Sequence, residues 1–318
     1  MFENIIAQIE KYNSIVIFGH INPDGDCYGS QVGLREIILA LYPHKKVYLA
    51  GRGLPKFFKL LPPTDEISDE VIANSLAIIV DANDVSRLED QRAEHALAFA
   101  KIDHHIDTGS FKDGPSYVDT RANSACDIIA ALAMECNIKL NRIGATALYM
   151  GILTDSARFQ FVTDYESTFV RAKYLIDCGA DTKAINEVLS RTDEKTLAAK
   201  GYILSHYQKT KEGVIYIVYD KETLKKLDLS ANAASNMINL LGNVEGYPIW
   251  ASFAEYEDGK VRVELRSNGP AIQPCAVRIG GGGHALASGA QLEKLDYKEV
   301  EEIVNDLGNT LNKWREEN

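Results

Sequence analysis

"SIVIFGHINPDGDCYGSQVGLREIILALY", residues 14–42, opens on a short apolar run, breaks into a polar loop, and resumes with apolar residues at helical spacing. The run 14–20 reads as a buried strand and 29–42 as an amphipathic helix. His20, Asp24 and Asp26 lie in the loop between them. Pro23 and Gly25 shape that loop, so that both aspartates can turn inward together. The same pattern recurs along the first half of the chain. Residues 45–51 read as a second strand, 75–84 as a third ending in acids, and 96–105 as a fourth ending in "DHH". Strands alternating with helices predict an α/β fold with a parallel sheet and helices on both faces. In such sheets ligands bind beyond the carboxyl ends of the strands, and three of these four strands end in His or Asp.

Helical patterns follow. One opens near Asn123; another has Asn141 as its N-cap and ends at Thr154–Asp155; a third is stopped by Gly179; a fourth covers 192–208. After about residue 210 the style changes. Residues 213–220 alternate, and 249–267 give a strand, a turn at Asp258–Gly259 and a strand. A glycine-rich stretch at 279–289 precedes a terminal helix from about Asp296. These patterns predict an N-terminal α/β domain over 1–188, a linker helix over 189–208 and a smaller α+β domain over 209–318.

The totals restrict function. The net charge of −11 and the lack of a basic stripe argue against gripping long duplex nucleic acid. They leave room for a small anionic substrate held by a few local cations or metals. Five cysteines, an odd number with no CxxC pair, argue against a disulfide framework and a cysteine zinc site. The start "MFENIIAQIEKYNS" reads as an amphipathic helix rather than a signal peptide, and no apolar run reaches the roughly 18–20 residues of a membrane span. A cytoplasmic protein with no membrane partner is expected. No coiled-coil pattern announces a homodimer, which stays open.

Chemistry concentrates in five stretches. "GHINPDGDCYGS" (19–30) combines one imidazole with two carboxylates, a donor set suited to manganese, iron, zinc or cobalt. An Asp-x-Asp loop is also a common turn device. In "VDANDVSR" (80–87), Asp81 lies just past an apolar strand, where it could equally cap the next helix; Asp84 and Arg87 are nearby alternatives. "DHH" (103–105) ends a strand on the same side, and Asp103 could orient a histidine through its ring N–H. In "GILTDSARF" (151–159), Asp155 stands at a helix C-terminus, unfavourable for a carboxylate without a cation nearby. "GGGGH" (280–284) lets backbone amides approach a ligand, although a glycine run is as well explained by a turn; Arg266 is a cation on a strand that could sit near it. Singly these signals are weak. Together His20, Asp24, Asp26, Asp81, His104 and Asp155 offer six N/O donors, too many for one open zinc site and suited to two metals about 3.5–4 Å apart.

In this order and spacing the motifs resemble the DHH phosphoesterase superfamily, and within it the short two-domain nanoRNase/pAp-phosphatase members of the NrnA type. The resemblance covers nearly the whole chain. It is shared with RecJ nucleases in the first domain and part of the second, and with family II pyrophosphatases in the metal motifs. It implies a site for two manganese ions, with His20 and Asp24 on one, Asp26, His104 and Asp155 on the other, and Asp81 bridging. It further implies that His105 faces the scissile phosphate and that Arg266, Gly281, Gly282, Gly283 and His284 bind the substrate's terminal nucleotide or phosphate. Residues 123–127, "NSACD", depart from the family's usual Thr/Ser-rich stretch with Glu. The implied substrates are nanoRNA of two to five nucleotides and 3'-phosphoadenosine 5'-phosphate (pAp), cut to nucleoside monophosphates. The alternatives are a dinucleotide phosphodiesterase acting on c-di-AMP or pApA, an inorganic pyrophosphatase, and a nucleotide sensor without turnover. The adjacent histidines pose their own question, because neighbours on a strand point to opposite sides. They can serve one site only if the strand has ended. His104 is then expected to hold metal, His105 to address the phosphate, and Asp103 to orient the pair.

Overall fold

The computed structural model describes residues 2–106 and 114–318. They form two compact units, divided between Arg191 and Thr192. The division falls inside the expected 189–208 linker, whose helical part is counted with the second unit.

The first unit runs α1 (Glu3–Lys11), β1 (Ser14–Phe18), α2 (Gly25–Leu41), β2 (Lys46–Leu49), α3 (Asp69–Ala73), β3 (Leu76–Val80), β4 (Ala98–Asp103), β5 (Ser116–Val118), α4 (Ala125–Glu135), α5 (Arg142–Asp155), α6 (Tyr165–Asp177) and α7 (Thr182–Ser190). The strands form one parallel sheet in the order β2-β1-β3-β4-β5. Strands β1 and β3 are continuous apolar runs because both of their faces are covered. Ile15, Ile17 and Ile78 pack with residues of α1, α2, α4 and α5 on one side. Val16, Phe18 and Ile79 pack on the other, against Ile72 of α3 and against Leu88 and Ala93. Helices therefore flank both faces, thickly on one and, among the described residues, by α3 and short 3-10 turns at Val85–Arg87 and Gln91–His95 on the other.

Helix α2 begins at Gly25, four residues before its apolar periodicity becomes visible. Asp24 is its N-cap and accepts hydrogen bonds from Asp26 N at 2.9 Å and Cys27 N at 3.0 Å. The first turn therefore carries polar ligand-type residues and looks like a loop in sequence. Gly25, Gly29 and Gly33, four apart, form a stripe where α2 meets α5. A methyl at Gly29 would lie 2.5 Å from the Ala147 carbonyl oxygen, and methyls at Gly25 and Gly33 would run into Thr154 and Leu148. The absence of side chains lets the two helices approach closely. Asn141 caps α5 as expected, and Ser124 rather than Asn123 caps α4.

The second unit contains α8 (Glu194–His206), β6 (Gln208–Lys209), β7 (Val214–Tyr219), α9 (Lys221–Leu227), α10 (Ala231–Ser235), β8 (Ile249–Glu255), β9 (Val261–Ser267), α11 (Gln273–Arg278), β10 (Gly282–His284), β11 (Ala287–Leu292) and α12 (Tyr297–Glu317). Its mixed sheet has the order β10-β11-β9-β8-β7-β6, with β7–β8 the parallel pair. Strand β9 alternates, sending Val261, Val263 and Leu265 into the core with α11 and α12. The glycine run is a strand rather than a free loop: β10 pairs antiparallel with β11 at the sheet's edge. Gly283 has φ 133°, and a methyl there would lie 2.7 Å from the Ala287 carbonyl oxygen. Among the described residues no helix is long and apolar enough to cross a membrane.

The α2–α5 contact gives a stability prediction. Gly29→Ala improves helix propensity by about 1 kcal/mol, but the clash with rigid backbone costs about 1–3 kcal/mol. The variant should melt below the wild type in a thermal scan followed by circular dichroism; a higher Tm would refute close packing at this point.

Candidate metal centre

Each donor is delivered by the end of a core element. His20 lies two residues past β1, Asp81 directly past β3, and His104 directly past β4. Asp26 sits in the first turn of α2, and Asp155 is the last residue of α5. Asp81 has φ 53°, a left-handed conformation uncommon outside glycine, while its N–H donates to the Ile102 carbonyl at 3.1 Å. The chain thus turns sharply at the strand end.

Asp81 occupies the centre. Its Oδ2 is 3.3 Å from His20 Nε2, and its Oδ1 is 3.4 Å from His104 Nε2. His104 Nε2 is also 3.6 Å from Asp155 Oδ2 and 3.9 Å from Asp26 Oδ2. His20 Nε2 is 3.8 Å from Asp24 Oδ1. All six expected donors are therefore brought together. Asp24 stands at the rim, its side chain 60% exposed, and one of its oxygens is engaged in capping α2. These separations exceed most hydrogen bonds and suit ligands gathered around cations, which hold each N or O at about 2.0–2.2 Å. Asp81 Oδ1 is buried and has no hydrogen-bond partner among the described residues. A buried orphan acceptor between two imidazoles fits a bound cation. His20 Nδ1 lies 2.9 Å from the Ile21 carbonyl. That contact makes Nδ1 the N–H donor and leaves the Nε2 lone pair facing the cluster.

Protonation follows from this crowding. Burial by itself would raise the Asp81 pKa, but the adjoining His104 and His20 imidazoles outweigh it and hold the carboxyl below its usual range. Burial would lower His20 and His104; the Asp81 carboxylate reverses both, aided at His20 by Cys27 and at His104 by Asp26, and pushes them up to about 11 and about 9. Asp26 is driven up by burial and then by the Asp81 and Asp155 charges. Burial is also the main reason that Asp155 rises to about 6. Without cations the cluster must hold protons; divalent ions would replace them.

The adjacent histidines are resolved by the end of β4 at Asp103, which places both in a turn. Asp103 Oδ1 accepts from His104 N at 2.8 Å and His105 N at 3.1 Å, and lies 2.9 Å from His105 Nδ1. Asp103 therefore orients the ring of His105 and the backbone of both. Its other oxygen is 3.4 Å from Lys101 Nζ. His105 Nδ1 is also 3.5 Å from Asp81 Oδ1, so both rings border the central carboxylate. With Nδ1 committed to Asp103, the Nε2 of His105 is the nitrogen available to a substrate, and the side chain is 40% exposed. Cys27 escaped notice in the sequence except as one of five cysteines. It is buried, its sulfur accepts from His20 N at 3.2 Å, and it shares a three-donor group with His20 and Asp81. Its position one residue after Asp26 was the available signal.

In the second unit, Arg266 pairs in register with Ala287, which pairs with His284. Directly opposed residues share a face, so Arg266 and His284 project to the same side of the sheet. The Arg266 guanidinium donates to the Leu265 carbonyl at 2.8 Å and pairs with Glu264 at 2.9 Å. His284 is exposed, and Gly282 shares its side of β10. Gly281 is pressed against the Gly289 carbonyl, and Gly283 faces the opposite side of β10 from His284.

A parallel sheet whose strand ends converge on histidines and carboxylates around one central aspartate defines a metal-binding hydrolase of the α/β class. The chain belongs to the DHH family: the model of its N-terminal domain matches residues 14–152, and a DHHA1 domain matches residues 207–313. It is 36% identical over 310 residues to the probable bifunctional oligoribonuclease and PAP phosphatase NrnA of Streptococcus mutans, covering 98% of this chain and 99% of that one. The Bacillus subtilis bifunctional oligoribonuclease and PAP phosphatase NrnA is 34% identical, with 96% and 97% covered. Among solved structures, an exopolyphosphatase-related protein from Bacteroides fragilis shares the fold with a TM-score of 0.82 at 21% identity, covering 98% of this chain and 97% of that one.

The raised histidines carry a pH prediction. Metal ligation needs neutral imidazoles, whereas His20 and His104 of the metal-free protein hold protons up to about pH 11 and pH 9. Metal uptake should therefore release protons, and affinity should rise with pH by roughly tenfold per unit for each proton released. Calorimetric titration with Mn2+ at several pH values between 6 and 8 measures this; a flat profile would show that both imidazoles are already unprotonated in the metal-free protein and refute the raised pKa values.

Proposed function

We propose that this protein is a manganese-dependent cytoplasmic phosphoesterase that cuts short oligoribonucleotides of two to five nucleotides, and pAp, to nucleoside monophosphates. The observation that carries the chemistry is the position of Asp81, with one carboxylate oxygen toward His20 and the other toward His104. The substrate class is supported by the names of the full-length relatives.

In this proposal His20 and Asp24 would hold one ion and Asp26, His104 and Asp155 the other, with the Asp81 carboxylate serving both. Bound divalent ions would lower the pKa of a water so that hydroxide is available near neutral pH, and would offset charge on the phosphoryl oxygens. The protein's own groups do the rest. Asp103 fixes the His105 ring so that its outward nitrogen meets a phosphoryl oxygen. Arg266 and His284, on one face of the second sheet, take the substrate's terminal nucleotide or phosphate, and Gly282, open on the same side of its strand as His284, leaves room for it.

Hydrolysis of pAp, pApA, c-di-AMP, pyrophosphate and two- to five-nucleotide RNAs, assayed with Mn2+, tests the substrate. RNA and pAp should be the best substrates. Preference for c-di-AMP or for pyrophosphate would replace this assignment, and no turnover of any would favour a sensor. Asp81→Asn should abolish turnover in a protein that keeps its circular dichroism spectrum; near-normal rates would remove its bridging role.

The two histidines should separate in their effects. His104→Ala should weaken metal binding, whereas His105→Ala should leave metal bound and lower kcat by roughly 10²–10³. Equal metal loss in both, measured by metal analysis after gel filtration, would collapse the division.

A further inference from the structure

We infer that the stretch "NSACD", residues 123–127, is the positioning device for Asp26, and that it sets the affinity of one of the two metal positions. The inference rests on Asp26 being a metal ligand, as proposed above. Residues 123–127 open α4, and no donor of the cluster comes from them. Yet the backbone N–H of Ala125 donates to Asp26 Oδ2 at 2.7 Å, and that of Cys126 to Oδ1 at 2.8 Å. One amide is thus directed to each carboxylate oxygen. Asp26 is 1% exposed, shut away from bulk solvent. An ionised carboxylate offers about four acceptor directions; the two amides take one on each oxygen and leave the others for the site.

Three features make these amides a rigid support. They belong to the first turn of an 11-residue helix, where N–H groups lack intrahelical partners and the macrodipole favours negative charge. Ser124 caps that turn, its hydroxyl accepting from Asp127 N at 3.0 Å. The flanking side chains lock it in place. Asn123 donates to Thr168 Oγ1 at 2.5 Å and accepts from Thr163 N at 2.7 Å, and Asp127 accepts from Arg171 at 2.6 Å. Gly151 clears the approach, since a methyl there would strike Cys126 and lie 2.8 Å from Asp26 Oδ1. Burial and two neighbouring carboxylates oppose charge on Asp26. The paired amides stabilise that charge and hold both oxygens in one orientation. The support acts on the ion that Asp26 and His104 would share, and Ala125, Cys126 and Ser124 act as positioning residues through it.

Proline is favoured at the first position of a helix and lacks only the N–H. Ala125→Pro therefore deletes one of the two bonds with little change in helix geometry. Mn2+ binding, followed by calorimetry and by electron paramagnetic resonance, should show one of two ions weakened by 10–100-fold, with the other unchanged. Loss of the spin-coupled signal of the ion pair should appear at the same Mn2+ concentrations. If Ala125→Pro fails to fold, Ser124→Ala frays the same turn and should weaken the same ion, and Ser124→Asn, which restores a cap, should recover it. A purely structural role would lower the Tm while leaving both ions bound with equal loss or none, and that result overturns the inference. Asp26→Asn separates the two levels. If it leaves both ions bound, the ligand assignment itself is wrong. If it loses one ion while Ala125→Pro, or the Ser124 variants, retain wild-type affinity, only the positioning role is wrong.

Discussion

The close seating of α2 on α5 is the constraint on which the site depends. Asp26 comes from the start of one helix and Asp155 from the end of the other. They reach a common neighbour, His104, because glycines 25, 29 and 33 remove the side chains that would hold the helices apart. Helices in contact usually stand 8–10 Å apart, the distance being set by the side chains between them. A wider seam would move Asp26 away from the strand ends while leaving the sheet intact. The packing of the core and the geometry of the cluster are therefore one problem, solved by residues that carry no chemistry themselves.

The second constraint is electrostatic. Burying several carboxylates together is unfavourable unless cations or protons accompany them. Within the protein, compensation comes from two imidazoles around Asp81 and from backbone amides beneath Asp26. That compensation is incomplete, as the orphaned Asp81 Oδ1 and the raised Asp155 show. Such a site is strained by its own charge and ready to accept divalent ions. Asp103 is engaged through one oxygen by the turn it organises, while its other oxygen faces Lys101; its pKa is held down by the hydrogen bonds of His105 against the opposing effect of burial. Two aspartates near the same strand ends thus have different roles because their partners differ.

Much of this was legible in the chain. The apolar runs at 14–20, 75–84 and 96–105 announce β1, β3 and β4, since strands buried on both faces must be apolar throughout. The turn at Asp258–Gly259 and the cap at Asn141 appear where their local chemistry predicts them. Short elements were missed. Strand β5 has three residues, too few to carry a periodic signal, whereas α7 is amphipathic, with Ile185, Val188 and Leu189 at helical spacing, and was passed over between the helix stopped at Gly179 and the linker. The start of α2 was missed because its first turn faces the cluster and is polar for that reason. The edge strand β10 was read as a ligand-approaching loop or a turn because glycine pairing across a hairpin has no local signature.

The sequence by itself determined the class of sheet, the strand ends at which chemistry emerges, and the six candidate donors. Those depend on local periodicity and on residue type, which a chain displays directly. Tertiary structure decided which donors meet. It set Asp81 between His20 and His104, moved Asp24 to the rim, gave Asp103 to His105, and directed the amides of Ala125 and Cys126 to Asp26, 99 and 100 residues away in sequence. These relations depend on helix separation and on backbone atoms that every residue carries. No side-chain pattern encodes a backbone N–H, so the support beneath Asp26 emerges only when α4 is packed against α2.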